Sequence, residues 1–131
     1  MEKKFLKMII RIVGVAIFIG IVGGTWVVVQ AGAPVVVEFN LANIEYEGSK
    51  MFVPSVVVVN KGDTVKLKIL NKIASEPPVH GFAIDEYNIK VEILKGETKE
   101  VQFTADKEGV IKFYCHLHPA HIAGQVLVLG K

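Results

Sequence analysis

The chain has a single cysteine, Cys115, so no internal disulfide can form, and cysteine usage does not report the redox compartment. Arginine is absent from Pro34 onward, where eleven lysines face twelve acidic residues, a net charge of −1. With no basic stripe, nucleic-acid binding loses its electrostatic footprint. There is no glycine-rich phosphate loop and no oxyanion motif, which removes the usual marks of nucleotide-dependent enzymes and hydrolases. Methionine is scarce, and Met51 is the only one beyond Met8. After Pro34 no stretch sustains a helical period, and the sequence shows neither an internal repeat nor a low-complexity tract.

The positive charge that is present lies at the start. Lys3, Lys4, Lys7 and Arg11 outweigh Glu2, and the overall +2 is therefore a property of the leader. Ile12 to Val29 then runs without a charged side chain. A helix of that length spans roughly 27 Å, close to the hydrocarbon thickness of a membrane, whereas the apolar part of a signal peptide is usually about 7 to 15 residues. Residues 1–33 are thus expected to be a membrane anchor or a signal segment. Length favours a retained transmembrane helix, and Ala31-Gly32-Ala33 resembles a cleavage site. Because positive charge stays inside, residues 34–131 are expected to form a domain outside the cytoplasm, periplasmic or at the outer face of the membrane.

That domain is long enough for its own core. Val35 to Leu41 reads as a first strand and Val56 to Val59 as a β-branched one. Thr64 to Leu70 alternates, with Val65, Leu67 and Ile69 facing one way and Thr64, Lys66 and Lys68 the other, the pattern of a half-buried strand. Gly81 to Ile84, Val91 to Leu94, Thr98 to Thr104, Val110 to Tyr114 and Gln125 to Leu129 follow, separated by turns at Lys61-Gly62-Asp63, Lys95-Gly96-Glu97 and Ala105 to Gly109. Ala42 to Pro54 is the least regular part. It reads as a loop around Tyr46 to Lys50, with Pro54 arguing against a central strand. Seven or eight short strands with a turn about every ten residues predict an all-β sandwich.

Chemistry concentrates in Cys115-His116-Leu117-His118-Pro119-Ala120-His121, which holds the cysteine and three of the four histidines. The fourth, His80, follows the stiff pair Pro77-Pro78. A lone cysteine is ordinarily a small buried hydrophobe, and a lone histidine is ordinarily structural. Together, one soft thiolate and several imidazoles suit a transition metal, copper or zinc. The candidate ligands are His80, Cys115, His118 and His121. Glu76 and Met51 are weaker alternatives. Strand alternation would turn His116 away from the metal, leaving it an exposed residue near an electron-entry patch. A dinuclear centre bridged by two cysteines is excluded by count.

Val79-His80-Gly81-Phe82 followed by Cys115-x2-His118-Pro119 resembles the cupredoxin family. Val59 to Asp63, Lys95 to Lys99, Phe103 to Lys107 and Cys115 to Pro119 are similar to nitrosocyanin, the red copper protein of ammonia oxidisers. The likeness runs from about Val56 to Leu129. It implies a Greek-key β-sandwich holding one copper ion per chain, with Cys115, His118 and His121 matching the family's cysteine and two histidines. It also implies an oligomer, a trimer in nitrosocyanin. The sequence departs from that pattern at His80, which stands where nitrosocyanin has a glutamate ligand, and in a ligand loop shorter by a few residues. Exchanging carboxylate for imidazole removes a charge and should raise the reduction potential.

Three roles follow as expectations. One is an electron carrier working between redox partner proteins through a Cu(II)/Cu(I) couple, tethered to the membrane if the helix is uncleaved. Another is a copper catalyst or a binder of a small molecule, nitric oxide or an oxygen species, with an open coordination position. The third is a redox-silent zinc protein.

Overall fold

The structure, a computed structural model, describes residues 35–130. The anchor-or-signal segment expected over residues 1–33 lies outside the described residues. Among the described residues no helix is long and apolar enough to cross a membrane.

The described residues form nine strands and one short 3-10 turn: β1 Val36–Tyr46, β2 Ser49–Val53, β3 Val56–Asn60, β4 Thr64–Asn71, β5 Val79–Ile84, the turn Asp85–Tyr87, β6 Ile89–Leu94, β7 Thr98–Thr104, β8 Gly109–Phe113 and β9 Gly124–Leu129. One sheet has the order β2-β1-β4-β7 and the other β3-β9-β8. The antiparallel pair β5-β6 adjoins β8, because Ala83 and Tyr114 exchange backbone hydrogen bonds of 2.9 and 3.1 Å. The first and third strands pair in parallel with β4 and β9 respectively, and the remaining pairs are antiparallel.

The alternation read in β4 is realised: Val65, Leu67 and Ile69 are each fully buried, while Thr64, Lys66, Lys68 and Leu70 are half-buried. They join Val57, Val59, Ile111, Phe113, Val126 and Val128 in one apolar cluster between the sheets. The turn before β4 is fixed by Asp63, whose buried carboxylate accepts the Asn60 N–H at 2.9 Å.

The expectation for Ala42 to Pro54 is corrected. This stretch completes β1 and forms β2, and the pair is a hairpin in which Ala42 faces Val53 and Tyr46 faces Ser49. Its turn is Glu47-Gly48, both with positive φ, 48° and 76°, the two-residue geometry that matches the twist of antiparallel strands. The signal is faint because the distal half is exposed on both faces, and because one inward position is the polar Asn43. This hairpin brings the strand count to nine.

Three phenylalanines mark the floor of the pole where the histidines gather. Phe52, Phe82 and Phe113, from β2, β5 and β8, meet with ring centroids 5.5 to 5.6 Å apart. Two of these contacts are edge-to-face, the arrangement the ring quadrupole favours. Two-residue alternation along a strand puts a side chain and its second neighbour on the same face, and here it links floor to site. Phe82 lies two residues after His80, and Phe113 lies two before Cys115.

Candidate metal centre

His80 enters from β5 and is fully buried. Its approach is set by Asn71 at the end of β4. That side chain donates to the carbonyls of Pro78 at 3.2 Å and Ile93 at 3.0 Å, and accepts the Ile73 N–H at 3.1 Å. The segment leading into His80 is thereby tied to β6.

The other three donors come from the connection between β8 and β9. The His118 N–H reaches the Cys115 carbonyl at 3.4 Å, and the His121 N–H reaches the His118 carbonyl at 3.1 Å. These are two successive turns closed three residues apart. Such a turn brings its first and fourth residues close together, so Cys-x2-His-x2-His keeps the three donors within reach of one another. At the far end the Ile122 N–H donates to the Lys50 carbonyl at 2.8 Å, fastening the connection to β2.

One donor atom from each of His80, Cys115, His118 and His121 lies within 4.8 Å of all the others. Cys115 Sγ is 3.4 Å from His118 Nδ1. The His80 ring sits 4.7 Å from that of His118 and 4.8 Å from that of His121, centroid to centroid. Phe52 approaches His121 from below at 6.4 Å. Three of the four residues are buried, and His118 is half-buried.

Both ring nitrogens of His80 and both of His121 are buried without a hydrogen-bond partner. Buried polar atoms are almost always satisfied, and leaving them bare is costly. Each imidazole gives one nitrogen to a metal, so His80, His118 and His121 with the Cys115 sulfur offer one sulfur and three nitrogens, a set that fits a single copper or zinc ion. The four residues singled out in the sequence are thus brought together. Glu76 is exposed and outside the group. Met51 is half-buried in β2 and pairs with Ile122 across an isolated bridge. His116 is also outside the group, as alternation required, but it is half-buried rather than exposed, and its Nδ1 is covered.

The cupredoxin-like domain family matches residues 25–128. The chain belongs to that family. This cupredoxin is 41% identical over 66 residues to the nitrous-oxide reductase of Cupriavidus necator, a match covering 49% of this chain and 10% of the reductase. It is 34% identical over 65 residues to cytochrome c oxidase subunit 2 of Thermus thermophilus, covering 47% of this chain and 48% of the subunit. Among solved structures, the copper nitrite reductase of Nitrosomonas europaea superposes with a TM-score of 0.63 at 26% identity, over 73% of this chain and 42% of that one. The chain therefore spans a tenth to about half the length of these relatives.

Two features of the centre were not visible in the sequence. The Gly81 N–H donates to Cys115 Sγ at 3.1 Å. The hairpin also brings charge near the imidazoles. Lys50 disfavours protonation of His80 and His121, and Glu45, its cross-strand partner, favours it. Neither could be placed while that segment read as a loop.

Burial pushes the His121 pKa down to about 4, and His80, His118 and Lys50 push in the same direction. Burial likewise lowers that of His80, helped by His118 and Lys50. A histidine whose pKa is lowered by folding takes up its proton more readily in the unfolded chain. The metal-free protein should therefore be most stable above the ordinary histidine pKa of about 6.5. It should lose stability as the pH falls from there to about 4. Urea unfolding of the metal-free chain at a series of pH values checks this, and an unchanged midpoint across that window contradicts it.

Proposed function

We propose that this cupredoxin carries electrons outside the cytoplasm with one copper ion held by His80, Cys115, His118 and His121. The observation that carries the reading is the buried Cys115 thiol gathered with one imidazole nitrogen each from His80, His118 and His121, all within 4.8 Å of one another. The copper nitrite reductase neighbour and the redox enzymes among the relatives support copper over zinc. Copper bound there would supply a Cu(II)/Cu(I) couple.

The protein residues have separable duties. Cys115 and the three histidines hold the ion, and the Gly81 N–H takes charge from the sulfur. The phenylalanine floor and the ties through Asn71 and Lys50 resist movement of the donors. That is what a carrier needs, since rigid ligands change little between oxidation states. His118 is the half-buried member, flanked by exposed Leu117 and Pro119, and a redox partner protein would approach there. Residues 1–33 fit a membrane anchor or signal for export, and residues 34–131 the copper domain. The resemblance to nitrosocyanin adds a competing role, small-molecule binding at an open position.

The test is the visible and EPR spectrum of the copper-loaded protein before and after azide and nitric oxide. A thiolate-to-Cu(II) band indifferent to both additions is expected. A band that shifts transfers the function to catalysis or ligand binding, and a colourless protein that prefers zinc removes the copper reading.

A further inference from the structure

His116 has no place among the four donors, yet it is not a free surface residue. Its Nδ1 is buried without a partner, and the ring is half-buried. What it touches is Gly81. A Cβ added to Gly81 would lie 2.5 Å from His116 Nδ1 and 2.6 Å from Cε1. Real side-chain carbons do not approach that closely, so the imidazole occupies the space a side chain at position 81 would need.

The same glycine donates its N–H to Cys115 Sγ at 3.1 Å. Two consecutive residues therefore grip one peptide. Cys115 takes the N–H, and His116 covers the side-chain position of the same residue. Gly81 is also held in the β5-β6 ladder opposite Glu92. A hydrogen bond to a metal-bound sulfur withdraws charge from it and tunes the potential of the site. The length of that bond depends on where the Gly81 peptide sits, and the His116 ring packs directly on the side-chain face of that residue.

We propose that His116 is a positioning residue for the cysteine ligand: its ring wedges the Gly81 peptide against Cys115 and so sets how strongly the sulfur donates to the metal. The inference rests on the copper reading above. The role is one of shape. The unpartnered Nδ1 makes no hydrogen bond that a hydrocarbon ring would forfeit, so a flat apolar ring at this position should serve as well.

The experiment compares full-length wild type, His116→Ala and His116→Phe. Each is loaded with copper for voltammetry and absorption, and with zinc for amide hydrogen exchange at Gly81 by NMR. In His116→Ala the reduction potential should fall, because a sulfur relieved of its hydrogen bond favours Cu(II). The thiolate band should shift, and Gly81 exchange should accelerate about tenfold, the equivalent of one net hydrogen bond. His116→Phe should restore all three towards wild type. Two results overturn the proposal: an alanine variant that matches wild type in potential and exchange, even if it is less stable, or a phenylalanine variant that behaves like alanine. If the wild type shows no thiolate-to-copper band, the copper reading falls and takes this inference with it. A normal wild-type band with indifferent variants removes only the role of His116.

Discussion

Replacing Cys115 by serine should abolish the visible absorption of the copper-loaded protein while leaving the sandwich folded. Cys115 is 2% exposed and is the only thiol in the chain. No other side chain can supply the thiolate-to-metal charge transfer that gives such a site its colour. The fold should survive for two reasons. Serine is smaller than cysteine, and its oxygen can accept the Gly81 N–H that the sulfur accepts now. The cost is burial of a hydroxyl beside the phenylalanine floor, about 1 to 3 kcal/mol when imperfectly satisfied. Absorption and EPR spectra report the site, and far-ultraviolet circular dichroism reports the fold. A variant that keeps the band would remove Cys115 from the site, whatever the other donors do.

The other large effect lies away from the donors. Asn71→Leu should destabilise the protein by about 3 to 5 kcal/mol. Asn71 is fully buried and makes three side-chain hydrogen bonds, to the carbonyls of Pro78 and Ile93 and from the N–H of Ile73. Leucine matches the volume but leaves the buried Ile73 N–H without its acceptor and removes the bonds to the Ile93 and Pro78 carbonyls, of which the Pro78 carbonyl keeps the Lys95 N–H; an orphaned buried group costs far more than a lost surface bond. The damage should also reach the metal, because Pro78 is two residues before His80. Urea unfolding with and without metal measures both effects. A loss under about 1 kcal/mol would mean that the segment holds its course by packing alone.

The candidate site was largely legible in the sequence because its residues are rare and closely spaced. A single cysteine and three histidines at three-residue or shorter spacing point to one loop, and the two i-to-i+3 turns explain why that spacing works. The strands with one buried face were equally readable, β4 most of all. The hairpin was not, since its outer half has no buried face to impose alternation and Asn43 breaks the apolar pattern. Asn71 was missed, and His116 was expected at the surface, for a different reason. Asparagine before a proline-containing loop looks like any turn residue. The significance of His116 depends on Gly81, a contact between residues far apart in sequence that no local pattern encodes.

The hairpin touches both segments that bear ligands. Glu45 accepts from Ser75, the Asn43 carbonyl accepts from Lys72, and the Lys50 carbonyl accepts from Ile122. Bringing His80 to Cys115 closes a loop of more than thirty residues, and these ties, with the apolar core, offset the entropy of that closure without help from the metal. Copper uptake should then be a docking event rather than a folding event. Its affinity is not drained by ordering the chain, as it is where a metal must fold the domain that binds it, and a chelator should draw the ion out of a protein that keeps its shape.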